Sequence, residues 1–484
     1  MHKHFFFPLL LLLATAARAQ QYEIRVTVEG VHDTSLYLGY SFEDKRYVVD
    51  TAQADAQGHA VFSRHKTLDK GVYFVALPDK TYFELLMPDK QSFAVSAKHG
   101  ELYETLAFEG SPENEQFLEY QRYLHREQAA ATAIRQRQKN NEAGLGDSVA
   151  IYQRMLTKTD SSITRYAHDL IARNSSNVLG VVQAALQEVE LPAFDIPADV
   201  KNPDSVRQWR AYEYRLAHYF DGFKLTENTL IRTPFFKPRL EFFFSKMIAP
   251  APDTIIRYAD SLLARAQANS EMFRYLVEYL FQRYQTSEYM GHDAVVLHLA
   301  DAYYLSGKAP WATEDYLKKI RDRADNMRHN LIGLVAPELL LQTHAGEYFS
   351  LHKMDADFVV LCFWEPNCGH CKKELPELWT MYQKLRDKGV KVLTVYTQYK
   401  KPEWDKFIAD NAYDWLYAWD GVEAEDEHGK PTTYSLGNNF RQNYDVYSTP
   451  TLYLLDSDKK IIAKRMSVEM LEKILNEEMK RAKK

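Results

Sequence analysis

A chain of 484 residues exceeds what one ordinary hydrophobic core organises and points to two to four domains. Its composition, 46% hydrophobic and 26% charged with 32 Tyr and 25 Phe, is that of a soluble globular protein without low-complexity tracts or internal repeats. A net charge of −6 argues against a nucleic-acid binder, which presents a strongly basic face.

Residues 1–19 read as a targeting signal. MHKH carries positive charge, FFFPLLLLLATA is apolar, and Ala17-Arg18-Ala19 sets small residues where a signal peptidase cuts. The apolar run is shorter than the roughly 20 residues a membrane-spanning helix needs. No cysteine follows it to carry a lipid, and no later segment is long and apolar enough to span a bilayer. A mature chain starting near Gln20 and working in the periplasm or otherwise outside the cytoplasm is expected.

Residues 21–108 contain short runs such as YEIRVTVEG, SLYLGYSF and VYFVALP, several alternating apolar and polar side chains between turn residues. This spacing predicts a β-sandwich with no catalytic signature. After Gly110-Ser111-Pro112 the period changes. From 111 to 330, SITRYAHDLIARN, TIIRYADSLLARAQ and EMFRYLVEYLFQRY repeat apolar residues at three- and four-residue steps, predicting helices broken near 192–203 and 249–252. The aromatic stripe Phe273, Tyr275, Tyr279, Phe281 and Tyr284 is assigned to core packing. His292 and His298 fall on different helix faces, which argues against a metal site there, and the glycosylation pattern at Asn174 is taken as chance.

From 333 to 484 strands alternate with helices. FVVLCFW reads as a buried strand, CKKELPELWTMYQKLRDK as an amphipathic helix, KVLTVYT as a strand, EWDKFIADN as a helix, and TLYLLDSDKKIIAKR as a hairpin before a last helix after Ser467. The predicted architecture is thus multidomain α+β: a β-sandwich, a central all-α segment and a C-terminal α/β domain.

The only cysteines are Cys362, Cys368 and Cys371, too few and too clustered for a disulfide scaffold. Cys368 falls where the helix begins, so unpaired N–H groups and the helix dipole favour its thiolate, the nucleophile of disulfide exchange. Cys371 lies one turn on, able to close or resolve a disulfide. An imidazolium at His370 would lower the Cys368 pKa further and make the pair more oxidising, within a range of about −270 to −120 mV for such centres. A zinc clip lacks its other ligands, and a structural disulfide closing so small a loop removes little unfolded-state entropy. Dithiol redox chemistry, with no metal and no cofactor beyond the Cys368–Cys371 pair, is the favoured reading.

The motifs GLVAPELLLQTHAGEYFSL, FWEPNCGHCKKELP and YDVYSTPTLYLLDSDKKIIAKR, in that order, resemble the thioredoxin-like fold and more narrowly the TlpA/ResA-type thiol–disulfide oxidoreductases. The resemblance implies a cis peptide at Pro450 beside the cysteines, with Thr449 offering its backbone to a bound substrate strand. It makes Pro376 the family's helix-kinking proline. It also implies that Glu374, three residues after Cys371, moves protons to and from that buried thiol. Asn367 stands where many relatives have Trp, which leaves Trp364 as the expected aromatic platform for substrate. Cys362 stands where thioredoxin has a buried acid and is expected to be an inert packing residue. VEAEDEHG, residues 422–429, forms an acidic excursion. The order β domain, helical domain, redox domain resembles secreted redoxins of Bacteroidetes.

The expected activity is exchange of disulfides with protein substrates outside the cytoplasm, as a reductase fed by a membrane electron donor. An oxidase or isomerase, and a binding or scaffold protein in which the pair plays a minor part, are the alternatives. A peroxidase is disfavoured, because Glu365 and Leu361 stand where its Thr and Pro would be.

Overall fold

The computed structural model describes residues 22–140, 148–197, 199–428 and 430–482. The expected targeting signal lies outside the described residues. The chain forms two compact units, one running to Ile248 and taking in Arg265–Phe273, the other made of Ala249–Ala264 and the chain from Arg274 onward. The central helices are therefore shared between the units.

The first unit holds the expected sandwich. Its strands are β1 (Tyr22–Glu29), β2 (Ser35–Phe42), β3 (Lys45–Gln53), β4 (His59–Arg64), β5 (Gly71–Ala76), β6 (Tyr82–Met87), β7 (Ser92–Lys98) and β8 (Ala107–Glu109). They form two four-stranded sheets, ordered β4-β1-β7-β8 and β3-β2-β5-β6. Alternation does what period-two patterning predicts in β1: Tyr22, Ile24, Val26 and Val28 are buried and face the other sheet's Leu36, Leu38, Tyr73 and Val75. β5 departs from alternation because both its faces are covered. Val72, with Leu86 of β6, packs on Phe117, Tyr120, Leu170 and Val182 from the helices Pro112–Asn140, Ser148–Arg173 and Val178–Leu186. Asn174 is buried, and its amide donates to Gln116 Oε1 (3.0 Å) and to Leu170 O (2.9 Å), so the glycosylation pattern there is committed to packing. The aromatic stripe from Phe273 to Tyr284 is buried throughout.

The second unit contains the helices Asp293–Leu299 and Glu314–Arg328, followed by a seven-stranded sheet. Thr313 caps the helix Glu314–Arg328, accepting from Tyr316 N at 3.3 Å, and Ile320, Ala324 and Met327 bury one face of it. The sheet strands are β9 (Leu340–Thr343), β10 (Tyr348–Ser350), β11 (Phe358–Trp364), β12 (Val390–Tyr396), β13 (Leu416–Trp419), β16 (Thr451–Asp456) and β17 (Ile461–Lys464), in the order β10-β9-β13-β12-β11-β16-β17. The acidic excursion folds as a separate hairpin of β14 (Gly421–Glu425) and β15 (Pro431–Ser435).

β11 is central, parallel to β12 and antiparallel to β16, and all seven of its residues are buried. The helix Gly369–Leu385 covers one face of the sheet through Cys371, Leu375, Leu378, Met381 and Leu385. Gly389 ends the following turn at φ +78°, a conformation that disfavours a side chain, and a Cβ there would sit 2.1 Å from Asp357. Its carbonyl accepts from the N–H groups of Asp357 and Phe358, which starts β11 beside β12.

His292 and His298 serve structure. His292 is buried, with ring nitrogens 2.7 Å from Ser287 Oγ and 3.1 Å from Pro250 O, and His298 lies 2.8 Å from Asp260. Among the described residues no three His, Cys, Asp or Glu side chains group to hold a metal ion, and no helix is long and apolar enough to cross a membrane.

Candidate redox site

The site forms where two neighbouring strands end. In the β11–β16 pairing Phe363 lies opposite Thr451, so the turn leaving β11 meets the segment entering β16. The first brings Cys368, the second Thr449 and Pro450, joined by a cis peptide bond.

Cys368 is the N-cap of the helix Gly369–Leu385. Its Sγ accepts from the backbone N–H of Cys371 at 3.4 Å and lies 3.0 Å from Thr449 O, to which the thiol donates. Burial works against ionisation of this thiol, but hydrogen bonds from the Thr449 side chain and from the backbone N–H groups of Cys371 and His370 outweigh it. The net pKa lies below the ordinary 9.0. Cys371, one turn on, is only 1% exposed, and burial pushes its thiol up to about 12 despite the Glu365 N–H that bonds it. Two thiols three residues apart thus have opposite tendencies because one caps the helix and the other faces the core.

This asymmetry predicts a pH profile. Alkylation of Cys368 by iodoacetamide follows its thiolate fraction, so the rate should climb with pH to a plateau with its midpoint below pH 9.0, while Cys371 stays unlabelled in the native chain. A Cys368 midpoint at or above 9.0 would count against the cap.

Glu374 is half-buried one turn beyond Cys371. Burial raises its pKa above 4.5, the Glu377 charge adds to this, and His370 and Lys373 pull it back. Cys362 is fully buried on the same face of the sheet. Burial, reinforced by Cys371 and Glu374, pushes its thiol far up, which keeps it protonated.

Two expectations need correction. Trp364 is 0% exposed, its ring packed against Phe407 (4.4 Å between centroids), Tyr396 and Tyr417, so it offers no platform to a substrate. As the last residue of a strand covered on both faces, it points into the core. His370 bears on Cys368 through its backbone N–H; its ring is exposed, and its charge falls on Glu374.

Glu365 was missed by the sequence reading. Its Oε1 accepts from Thr449 Oγ1 (3.1 Å) and its Oε2 from Gln398 Nε2 (2.8 Å), tying the turn after β11 to the segment before β16. Nothing in the sequence but its place just past a buried strand could have signalled this. Asn367, in the position many relatives give to Trp, donates to Glu403 Oε2 at 2.6 Å.

Residues 332–464 match the AhpC/TSA family, and residues 156–330 match a domain of unknown function, DUF5106. The chain is 26% identical over 143 residues to the thiol-disulfide oxidoreductase ResA of Bacillus cereus, covering 30% of this chain and 74% of that protein. It is 28% identical over 124 residues to the thioredoxin-like protein YneN of Bacillus subtilis, covering 26% of this chain and 65% of that protein. Among solved structures, a domain of a possible thiol-disulfide isomerase from Cytophaga hutchinsonii is 36% identical, over 32% of this chain and 96% of that one, with a TM-score of 0.27. A thioredoxin-like protein from Bacteroides caccae is 18% identical, over 59% of this chain and 99% of that one, with a TM-score of 0.44.

Proposed function

From a C-terminal segment that is an AhpC/TSA-type, thioredoxin-like domain related to the thiol–disulfide oxidoreductases, we propose that this chain reduces disulfides of protein substrates outside the cytoplasm through Cys368 and Cys371. The observation that carries this reading is the pairing of a helix-capping thiol of lowered pKa with a buried thiol held protonated, beside the Thr449 carbonyl.

The Cys368 thiolate attacks one sulfur of the client disulfide. A mixed disulfide forms, and the other client sulfur leaves as thiolate and takes a proton. Cys371 then gives its proton to Glu374 and attacks the Cys368 sulfur. The client leaves with both thiols reduced, and two electrons have passed from the cysteine pair, now a disulfide, to the client. The pair itself carries the electrons, so no bound cofactor enters. A membrane protein that supplies electrons from the cytoplasm returns it to the dithiol. The Thr449 backbone pairs with the client strand, and Pro450 keeps that backbone facing Cys368.

A redox titration of the Cys368–Cys371 pair tests the direction. A midpoint of about −270 mV fits a reductant, and one of about −150 mV would make the chain an oxidant or isomerase.

Glu374→Gln tests the proton step. Burial keeps the Glu374 pKa above 4.5, so the carboxylate is a base above that raised value and an acid below it. Release of the client from the mixed disulfide should slow by about tenfold near neutral pH, a modest value for acid–base catalysis because water reaches this half-buried group. The alkylation profile of Cys368 should stay as in wild type. Unchanged release would remove Glu374 from the mechanism.

A further inference from the structure

The loop that enters the cis peptide is held from outside the thioredoxin-like segment. Asp445 adopts φ +51°, and its carboxylate, 1% exposed, accepts from both Arg465 and Arg323. Arg323 belongs to the helix Glu314–Arg328, within the stretch matching the domain of unknown function. The same helix reaches Tyr447. The Arg323 guanidinium lies 4.5 Å from the ring centroid, Arg465 lies 6.0 Å from it, and Asn326 Nδ2 donates to the hydroxyl at 3.3 Å. Tyr447 is nevertheless 63% exposed.

A large ring fixed by three side chains and left open to solvent has paid its ordering entropy before any partner arrives, which suits it to contact rather than to packing. Its place fits the site. Tyr447 precedes Thr449 by two residues, a separation of at most about 7 Å along the chain. An extended client strand advances about 3.4 Å per residue, so it spans the same gap in two residues.

We infer that Tyr447 is the aromatic platform of the redox site, held in place by the central helix through Arg323 and Asn326. Its client is an extended, oxidised polypeptide segment with an aromatic or large aliphatic side chain two residues from the reacting cysteine. This rests on the oxidoreductase reading and specifies its substrate. It gives the end of the central helical segment a role in choosing clients, with Arg323 and Asn326 as positioning residues.

The test uses the full chain and short peptides whose central cysteine is joined by a disulfide to glutathione, with either Phe or Gly two residues to each side. The Cys368 thiolate attacks the peptide sulfur, and glutathione leaves as thiolate and takes a proton. Cys371 then displaces the reduced peptide. Wild type should favour the Phe peptide in kcat/KM by about fivefold, the scale of one aromatic contact. In Tyr447→Ala that preference should collapse to near unity. Tyr447→Phe, which keeps the ring, should retain it, and Arg323→Met should weaken it. Iodoacetamide labelling of Cys368 should match wild type in every variant. A preference that survives Tyr447→Ala, or a wild type that treats both peptides alike, overturns the platform. So does a loss accompanied by an equal change in Cys368 labelling, which would mark distortion of the site. A wild type that reduces neither peptide overturns the redox reading itself, a distinct result.

Discussion

Cys368→Ser is expected to bring insulin disulfide reduction by dithiothreitol down to the rate without protein, whereas Cys371→Ser should stop turnover and accumulate a covalent adduct. The two substitutions differ because the two sulfurs do. Cys368 caps the helix, and its thiolate is stabilised by backbone N–H groups and by the Thr449 side chain. A serine hydroxyl there ionises far too weakly to attack a disulfide and cannot form one, so no first step remains. Cys371 sits beneath it with its pKa pushed up to about 12 and is no competitor for the attack. With Cys371→Ser the first attack still proceeds, but nothing resolves the mixed disulfide, and client and chain should migrate together on a non-reducing gel until thiol is added. Cys362→Ala gives the control. That thiol is fully buried and held protonated, so its removal should leave the adduct in place. Equal insulin reduction by wild type and Cys368→Ser would end the enzyme reading in favour of a scaffold. An adduct lost with Cys362→Ala would assign the chemistry to the wrong sulfur.

The sequence was legible where local pattern and local structure coincide. Alternation in YEIRVTVE set the inner face of β1 correctly, and the cysteine helix began within a residue of where its cap was expected. The amphipathic reading of CKKELPELWTMYQKLRDK also holds: Leu375, Leu378 and Leu385 are buried on one face, with Trp379 and Tyr382 partly buried beside them. Local pattern failed at β11. All seven residues there are apolar and buried, so no alternation shows which way Trp364 turns, and the aromatic platform was sought on the wrong side chain. It failed again wherever a contact depends on pairing distant segments. Glu365 and Thr449 meet across 84 positions, and Arg323 and Asp445 across 122. These contacts follow from the register of β16 on β11 and from the packing of a helix against a loop, neither of which a one-dimensional period encodes. The sharing of the central helices between two units was hidden for the same reason, since periodicity reports that a helix has an apolar face but not which core the face joins.

Lys464→Met is expected to destabilise the second unit by about 3–5 kcal/mol. Lys464 closes β17 with its side chain only 3% exposed. Its ammonium donates to Asn330 O (2.7 Å) and Asn330 Oδ1 (2.6 Å) and pairs with Asp293, itself 16% exposed. Burial pulls the Lys464 pKa down while Asp293 holds it up, so the ammonium survives only because all three donors are used. Methionine fills much the same volume and removes the charge, leaving an unpaired carboxylate and two amide oxygens with nothing to bind. If that is the origin of the cost, Asp293→Asn in the same chain should return about 1–3 kcal/mol, because the stranded charge is then gone. Urea unfolding followed by tryptophan fluorescence suits the measurement, since every tryptophan but Trp209 lies in the second unit. A loss under about 1 kcal/mol, or losses that simply add in the double variant, would show that the pair is incidental. A large, coupled loss would instead mean that the helices around Asp293 and Asn330 and the redox sheet unfold as one body. That cooperativity is required if a helix outside the thioredoxin-like segment is to hold Tyr447 at a fixed distance from Cys368.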